Sequence, residues 1–453
     1  MRYLGRLVAI ALVTYGAVAN GAETVAPPEK LSLAGAVSRV LEVDEGYKSA
    51  REGVVAAEHG VKEARAAFIP SLSGDLSGVY VAGLPQIEIP ANAFGPGFPP
   101  EPINMSLPGA ENVSAGVTLI YLPYQGGREY TGYRLAKRGL DLSREGLRAA
   151  RADLIYGAVR AYYDVVLAEE SVRVADASVA VATSHVIATE DRYDAGLVSE
   201  YDVLRARVQL TNLETARRYA EDGRAAATRY LLSLLDQPPE TSVALTDRLA
   251  FAPEKFNLDE SLGKATAERP DLRQLELSRV LAEEGVKMAR GGDNPTVVFT
   301  TDFKEYAQAF SLDFGNDWSD ETTLALSVSW PFFDGFATRA RVGKARASLY
   351  QTEFAKVRAE EGVDMEVRAA YENLLTLEAN ARAQEDNVDL AKKGLDIAQA
   401  RYDAGLMSNL EVLDAQAALT QAELSYYKAL RDYEVAKYAF RRSRGELDAM
   451  MSQ

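Results

Sequence analysis

Of the residue types that do chemistry, this chain offers mostly carboxylates. It has no cysteine and only two histidines, His59 and His185, far apart in sequence and each read as a surface or packing residue on a helix. No phosphate-cradling glycine motif and no fixed nucleophile–base pattern accompanies them, which argues against an enzyme. What stands out is a pair of acids, Glu411 and Asp414, three residues apart and so on one helical face. Asp202 matches Glu411 after a shift of 209 residues. The plain reading is that acids belong in a first helical turn, where the helix dipole favours them. That reading weakens if symmetry gathers these carboxylates around an axis.

The acids follow a stretch that occurs twice. Arg192-Tyr193-Asp194-Ala195-Gly196-Leu197-Val198-Ser199 returns as Arg401-Tyr402-Asp403-Ala404-Gly405-Leu406-Met407-Ser408. A long helical pattern runs into each copy, and the glycine supplies the left-handed backbone that ends it. Ser199 and Ser408 then cap a new helix. Each copy is a helix–turn–helix tip.

The bulk composition sets the frame. A chain of 453 residues with 47% apolar residues can build a packed core, and a net charge of −16 with no basic tract argues against nucleic acid as a partner. The absence of cysteine excludes disulfides, thiolate metal sites and a cysteine-borne lipid anchor. Arg2 and Arg6, the apolar run Leu7 to Val13 and the small residues Ala17-Val18-Ala19 read as a secretory signal peptide over 1–19. No later stretch has the length of a spanning apolar helix, which leaves a barrel as the way into a membrane.

Along the mature chain the same plan is read twice, over 20–260 and 261–453. Helical spacing covers 32–67, with Leu33, Val37, Val40 and Leu41 on one side. The period then drops to two: Leu72, Leu76 and Tyr80 alternate with Ser73, Asp75 and Ser77. A proline-bearing loop over 83–109, too rich in proline for helix or central strand, leads to a second strand with Val113, Ala115, Val117, Leu119 and Tyr121 on one face. Helix resumes near Arg128 and reaches the first tip, near 196; the return helix runs from Ser199 to about Leu235, is stopped by Asp236-Gln237-Pro238-Pro239, and leads to an irregular connector over 237–260. The second half repeats helix (271–289), strand (297–303), loop (306–320), strand (324–330) and a long helix from Phe336 to the second tip, near 405. Pro331 and Gly335 keep the spacing of Pro123 and Gly127. The fold class is mixed α and β, dominated by long helices and internally duplicated.

Two patterns carry physical meaning. Val412, Leu419, Tyr426, Tyr433 and Phe440 recur every seven residues, each followed three residues later by Ala415, Ala422, Ala429, Ala436 or Ser443. Alternating large and small seam residues suit a close antiparallel coiled coil. The four strands each set apolar residues against small or polar ones, which suits a barrel with lipid outside and water inside. A small sheet in a water-soluble head domain is the other reading; if the strands form a barrel, four cannot close one with a pore, and several chains must share it.

On these residues the chain resembles the TolC-like outer-membrane efflux family, also called outer membrane factors. The signatures are Arg-Tyr-x-x-Gly-Leu-x-Ser at 192–199 and 401–408, then Glu411-Val412-Leu413-Asp414-Ala415. Phe68-Ile69-Pro70-Ser71-Leu72, Arg269-Pro270-Asp271-Leu272 and Pro331 with Asp334-Gly335 support them. The resemblance implies a homotrimer with a shared twelve-stranded β-barrel in the outer-membrane lipid of a Gram-negative bacterium, and an α-helical tunnel through the periplasm. It implies an equatorial girdle from 237–260 and the C-terminal segment, and passive conduction for efflux or type I secretion, without cofactor or chemistry. Gly196, Leu197, Ser199, Gly405, Leu406 and Ser408 would meet a periplasmic adaptor, which links the channel to an inner-membrane transporter. Glu411 and Asp414 fall on the family's acidic constriction, where crowding is expected to raise proton affinity and concentrate cations. Asp202 and Tyr402 fall on gate positions that bond across helices, and Met407 stands where the family carries a gate arginine.

A periplasmic coiled-coil adaptor or scaffold is the competing reading. It would have one hairpin and a lipoyl-like β module, whereas this chain shows two hairpins and paired membrane-like strands.

Overall fold

The computed structural model describes residues 29–80, 86–95, 101–106, 111–307 and 318–450. The segment read as a signal peptide lies outside them, as do parts of both inter-strand loops.

Four helices set the long dimension. α3 (Arg128–Asp194) and α7 (Ala337–Asp403) run 67 residues each, and α4 (Glu200–Leu234) and α8 (Asn409–Ser443) return for 35 each. At 1.5 Å per residue the longer pair spans about 100 Å. Each long helix opens after a left-handed residue, Gly127 or Phe336. Shorter helices precede them: α1 (Leu33–Val43), α2 (Glu45–Ala66), α5 (Leu258–Glu268) and α6 (Pro270–Arg290). The helical pattern over 32–67 is thus broken at Asp44, whose extended backbone ends α1 and whose carboxylate caps α2 through the Tyr47 N–H at 2.6 Å.

One antiparallel sheet joins the halves in the order β2 (Ser71–Tyr80), β5 (Glu111–Gln125), β7 (Thr296–Ala307), β8 (Trp318–Ser329). Leu72, Leu119, Thr301 and Leu324 form one row across the sheet, and Ser73, Thr118, Asp302 and Thr323 form the adjacent row on the other face. Thr118 donates to the Asp302 carboxylate at 2.7 Å on that polar face. Leu72, Leu76, Leu324, Leu326 and Val328 are all exposed. β2 and β8 each pair on one side only among the described residues, so both sheet edges stand open.

The proline-bearing loop over 83–109 differs from expectation. It holds a short antiparallel hairpin, β3 (Gln86–Ile89) with β4 (Ile103–Ser106). Ile and Met positions flanked by polar residues support it, while the prolines stand outside the paired residues.

The core lies at mid-height. Tyr162 on α3, Leu231 on α4, and Leu430, Tyr433 and Phe440 on α8 are fully buried together with α1 side chains Val37 and Val40. The connector after α4 is pinned there: β6 (Val243–Leu245) pairs in parallel with β1 (Glu29–Leu31). Asp247 accepts from the Leu33 N–H at 2.8 Å and from the Tyr162 hydroxyl at 2.7 Å. Burial and that carboxylate push the Tyr162 hydroxyl up to about 12. The large and small heptad seam of α8 packs into this core, with Tyr433, Ala429, Ala436, Phe440 and Ser443 all buried. Among the described residues, no helix is long and apolar enough to cross a membrane.

Candidate functional site

The tips are made by the same local rules. At the first, the Leu197 N–H bonds the Arg192 carbonyl (2.9 Å) and the Gly196 N–H the Tyr193 carbonyl (2.8 Å). At the second, Leu406 bonds Arg401 (2.9 Å) and Gly405 bonds Tyr402 (2.9 Å). This 6→1, 5→2 pair needs a left-handed residue, and Gly196 and Gly405 supply it at φ 73° and 72°. Each return helix starts in a capping box. The Asp202 carboxylate accepts from the Ser199 N–H (3.1 Å) and hydroxyl (2.6 Å), and Glu411 accepts from the Ser408 N–H (2.9 Å) and hydroxyl (2.9 Å). The Ser408 backbone N–H, then its hydroxyl, hold the Glu411 carboxyl below its usual range. That is opposite to the rise expected from crowding, which needs neighbouring copies to act.

Above the caps the tips part company. α3 meets the second hairpin along a polar seam whose α3 members recur every seven residues, Ser178 and His185 against α8 and Arg192 against the end of α7. Ser178 shares a 2.8 Å hydroxyl contact with Thr420, and its carbonyl accepts from the Gln416 amide at 2.9 Å. Buried His185 is bonded through Nε2 to the Asn409 side-chain oxygen. The Asn409 Nδ2 donates to the Asp202 carbonyl at 3.0 Å, which ties both hairpins together. Arg192 donates to the Tyr402 carbonyl at 2.9 Å and to the Asp403 carboxylate at 3.0 Å, with its guanidinium 4.2 Å over the Tyr402 ring. Such a cation–π contact is worth about 1 kcal/mol when partly desolvated.

The site residues expected from the sequence fall as follows. Gly196, Leu197, Ser199, Gly405, Leu406 and Ser408 are exposed at the tips. Glu411 and Asp414 are exposed on α8. Tyr402 is buried in an apolar cluster with Ala398 and Val412, against which Met407 packs. Met407 thus adds apolar contact where the resemblance places an arginine. Asp202 and Tyr402 are not joined to each other. The Asp202 carboxylate serves its own cap, and the Tyr402 hydroxyl lies 3.5 Å from Thr189. His185, Asn409, Thr189 and Arg192 were not picked out from the sequence as a site. The signal for two of them was present: His185 and Asn409 break the internal repeat, since their counterparts are Gly394 and Glu200.

The chain matches the model of the outer membrane efflux protein family over residues 37–235 and 261–446. Protein CyaE of Bordetella pertussis is 28% identical over 255 residues, covering 55% of this chain and 53% of that protein. Outer membrane protein TolC of Escherichia coli is 25% identical over 279 residues, covering 57% and 55%. The chain spans about half the length of the curated relatives it matches. Among solved structures, the CusC channel superposes with a TM-score of 0.75 at 18% identity, covering 91% of this chain and 92% of that one. At that identity the likeness speaks for the fold, which is that of the TolC-like tunnels. With two matched regions that together take in most of its length, the chain belongs to the outer membrane efflux protein family.

Proposed function

We propose that this protein is a passive outer-membrane conduit. Three copies would pool their strands into one twelve-stranded barrel and their helices into a periplasmic tunnel. The observation that carries the reading is the sheet. Its two open edges invite pairing, and its exposed leucine face has no reason to meet water. Pairing β2 of one copy with β8 of the next satisfies both edges, turns the leucines to lipid and leaves the row of Ser73, Thr118, Asp302 and Thr323 facing the lumen. The helices support this. α4 leaves Tyr201, Leu204, Val208 and Tyr219 exposed, and α7 leaves Tyr350, Phe354, Met365 and Leu390 exposed, as faces that await a neighbour.

In this reading residues 20–260 and 261–453 are two repeats of one unit. The exposed tips around Leu197 and Leu406 meet a periplasmic adaptor, itself coupled to an inner-membrane transporter. Glu411 and Asp414 from three copies ring the axis as a cation-selecting constriction. Asp202 and Tyr402 belong to the gate, Asp202 through its backbone carbonyl and Tyr402 through its burial under Arg192. The reaction is transport, as the family's name indicates, and asks no cofactor.

Detergent-purified protein in a planar bilayer tests the proposal. Small, long-lived openings are expected. Solubility without detergent together with the absence of openings would favour a periplasmic adaptor or scaffold and remove the barrel.

A further inference from the structure

The duplication makes the seam inside one chain a template for a seam that one chain cannot complete. α3 and α8 are in contact, and each buries many side chains, whereas their counterparts α7 and α4 are far barer. α4 buries only Val203, Ala206, Leu231 and Leu232 among the described residues. Leu413 on α8 is 7% exposed, and its counterpart Leu204 on α4 is 52% exposed. The same holds at the tips: Tyr402, under Arg192, is 3% exposed, and Tyr193 is 44% exposed. Asp194, the counterpart of Asp403, is exposed too. Arg401, the counterpart of Arg192, is exposed, and its side chain makes no hydrogen bond or ion pair among the described residues; it acts only at a distance on Glu411.

The side chains of a second clasp are therefore all present, without partners among the described residues, at the ends of α3 and α7. We infer that Arg401 of one copy grips a second copy of this chain, stacking on the partner's Tyr193 and bonding the partner's Tyr193 carbonyl and the partner's Asp194 carboxylate. The inference rests on the conduit reading, and it names the contact that joins protomers at the closed end. Chains joined head to tail in this way use a different surface on each side, and such an interface closes into a ring when its rotation allows. Around that ring Arg192 clasps and Arg401 clasps alternate, so that one hexapeptide, used twice per chain, stitches every seam.

The second clasp is plainer than the first. Counterparts of the supporting residues are Ala398 for Thr189, Gly394 for His185 and Glu200 for Asn409, none of which can repeat the bonds seen inside the chain. The seam between copies thus has the arginine grip alone, and opening the periplasmic end by parting copies disturbs fewer buried polar groups than parting α3 from α8.

Cross-linking tests this cleanly because the chain has no cysteine of its own. The full-length Asp194→Cys, Arg401→Cys double variant, purified in detergent, is treated with a short bifunctional maleimide and run on a denaturing gel. Linked dimers and trimers are expected from the double variant and not from either single variant. Arg192→Cys with Asp403→Cys serves as the internal comparison. It should lose its free thiols yet keep the mass of one chain. Native mass spectrometry of the same samples separates the two ideas. An oligomer whose internal pair links while 194 and 401 stay unlinked overturns the clasp and leaves the conduit standing. A single-chain mass in detergent overturns both.

Discussion

Tyr193 and Tyr402 occupy the same place in the same hexapeptide, Arg-Tyr-Asp-Ala-Gly-Leu, and close their turns with the same pair of hydrogen bonds. Tyr402 is nevertheless buried beneath the Arg192 guanidinium, while Tyr193 looks outward. The acids diverge as well. The second tip carries Glu411 and Asp414; at the matching positions the first carries Asp202 and Arg205, a pair with no net charge. Local sequence makes the two turns alike, and the packing of α3 on α8 makes them unlike. Within one chain the first tip acts as the clamp, the second as what is clamped and as the bearer of charge.

Several substitutions sharpen or break this contrast. The largest effect is expected from Tyr402→Ala, at about 3 kcal/mol through lost burial. Tyr193→Ala should cost about 1 kcal/mol, since only a surface stacking contact is at stake. Hydrogen exchange across 402–416 and 193–207 reads both, and equal costs would erase the distinction. Asn409→Ala comes next, at about 2 kcal/mol, because it strips His185 Nε2 and the Asp202 carbonyl of their partner. Its counterpart Glu200→Ala should cost at most about 0.5 kcal/mol from the helix dipole.

The caps are where the tips should agree. Ser199→Ala and Ser408→Ala are each expected to cost about 1 kcal/mol, and a marked inequality would show that tertiary contact reaches the caps. Acid should then separate them slightly. The folded Glu411 carboxyl lies below its ordinary 4.5, so its contribution is complete above that pH and is lost as pH falls through the depressed value. Fraying of the first turn of α8 should grow over that acid range, and Glu411→Gln should abolish the pH dependence. Persistence of the pH response in that variant would assign it to another group.

Much of this architecture is legible in the sequence because its signals are local. Glycine at the left-handed position, serine at the cap, and the switch from period 3.6 to period two each act within a few residues. The long helices, the four strands of the main sheet and both tips follow from them. The break at Asp44 was hidden because apolar spacing continues past it, although an aspartate before Glu45 is a good cap. The β3–β4 hairpin was hidden by its flanking prolines. What the sequence could not disclose is which tyrosine is buried. Arg192 lies 210 residues from the carbonyl it grips, and identical hexapeptides carry no mark of the neighbour each will meet. The useful signal is where the repeat is broken: His185 against Gly394, Asn409 against Glu200, Asp414 against Arg205.

The most direct test of the conduit and its charged constriction is the reversal potential of single channels in a salt gradient, compared between the unaltered protein, Glu411→Ala with Asp414→Ala, and Asp202→Ala. The account predicts cation preference in the unaltered protein, its marked reduction in the double variant, and near-unaltered selectivity in Asp202→Ala. Unchanged reversal potentials in the double variant would contradict it, and an Asp202→Ala shift as large as the double variant's would return both tips to equal standing.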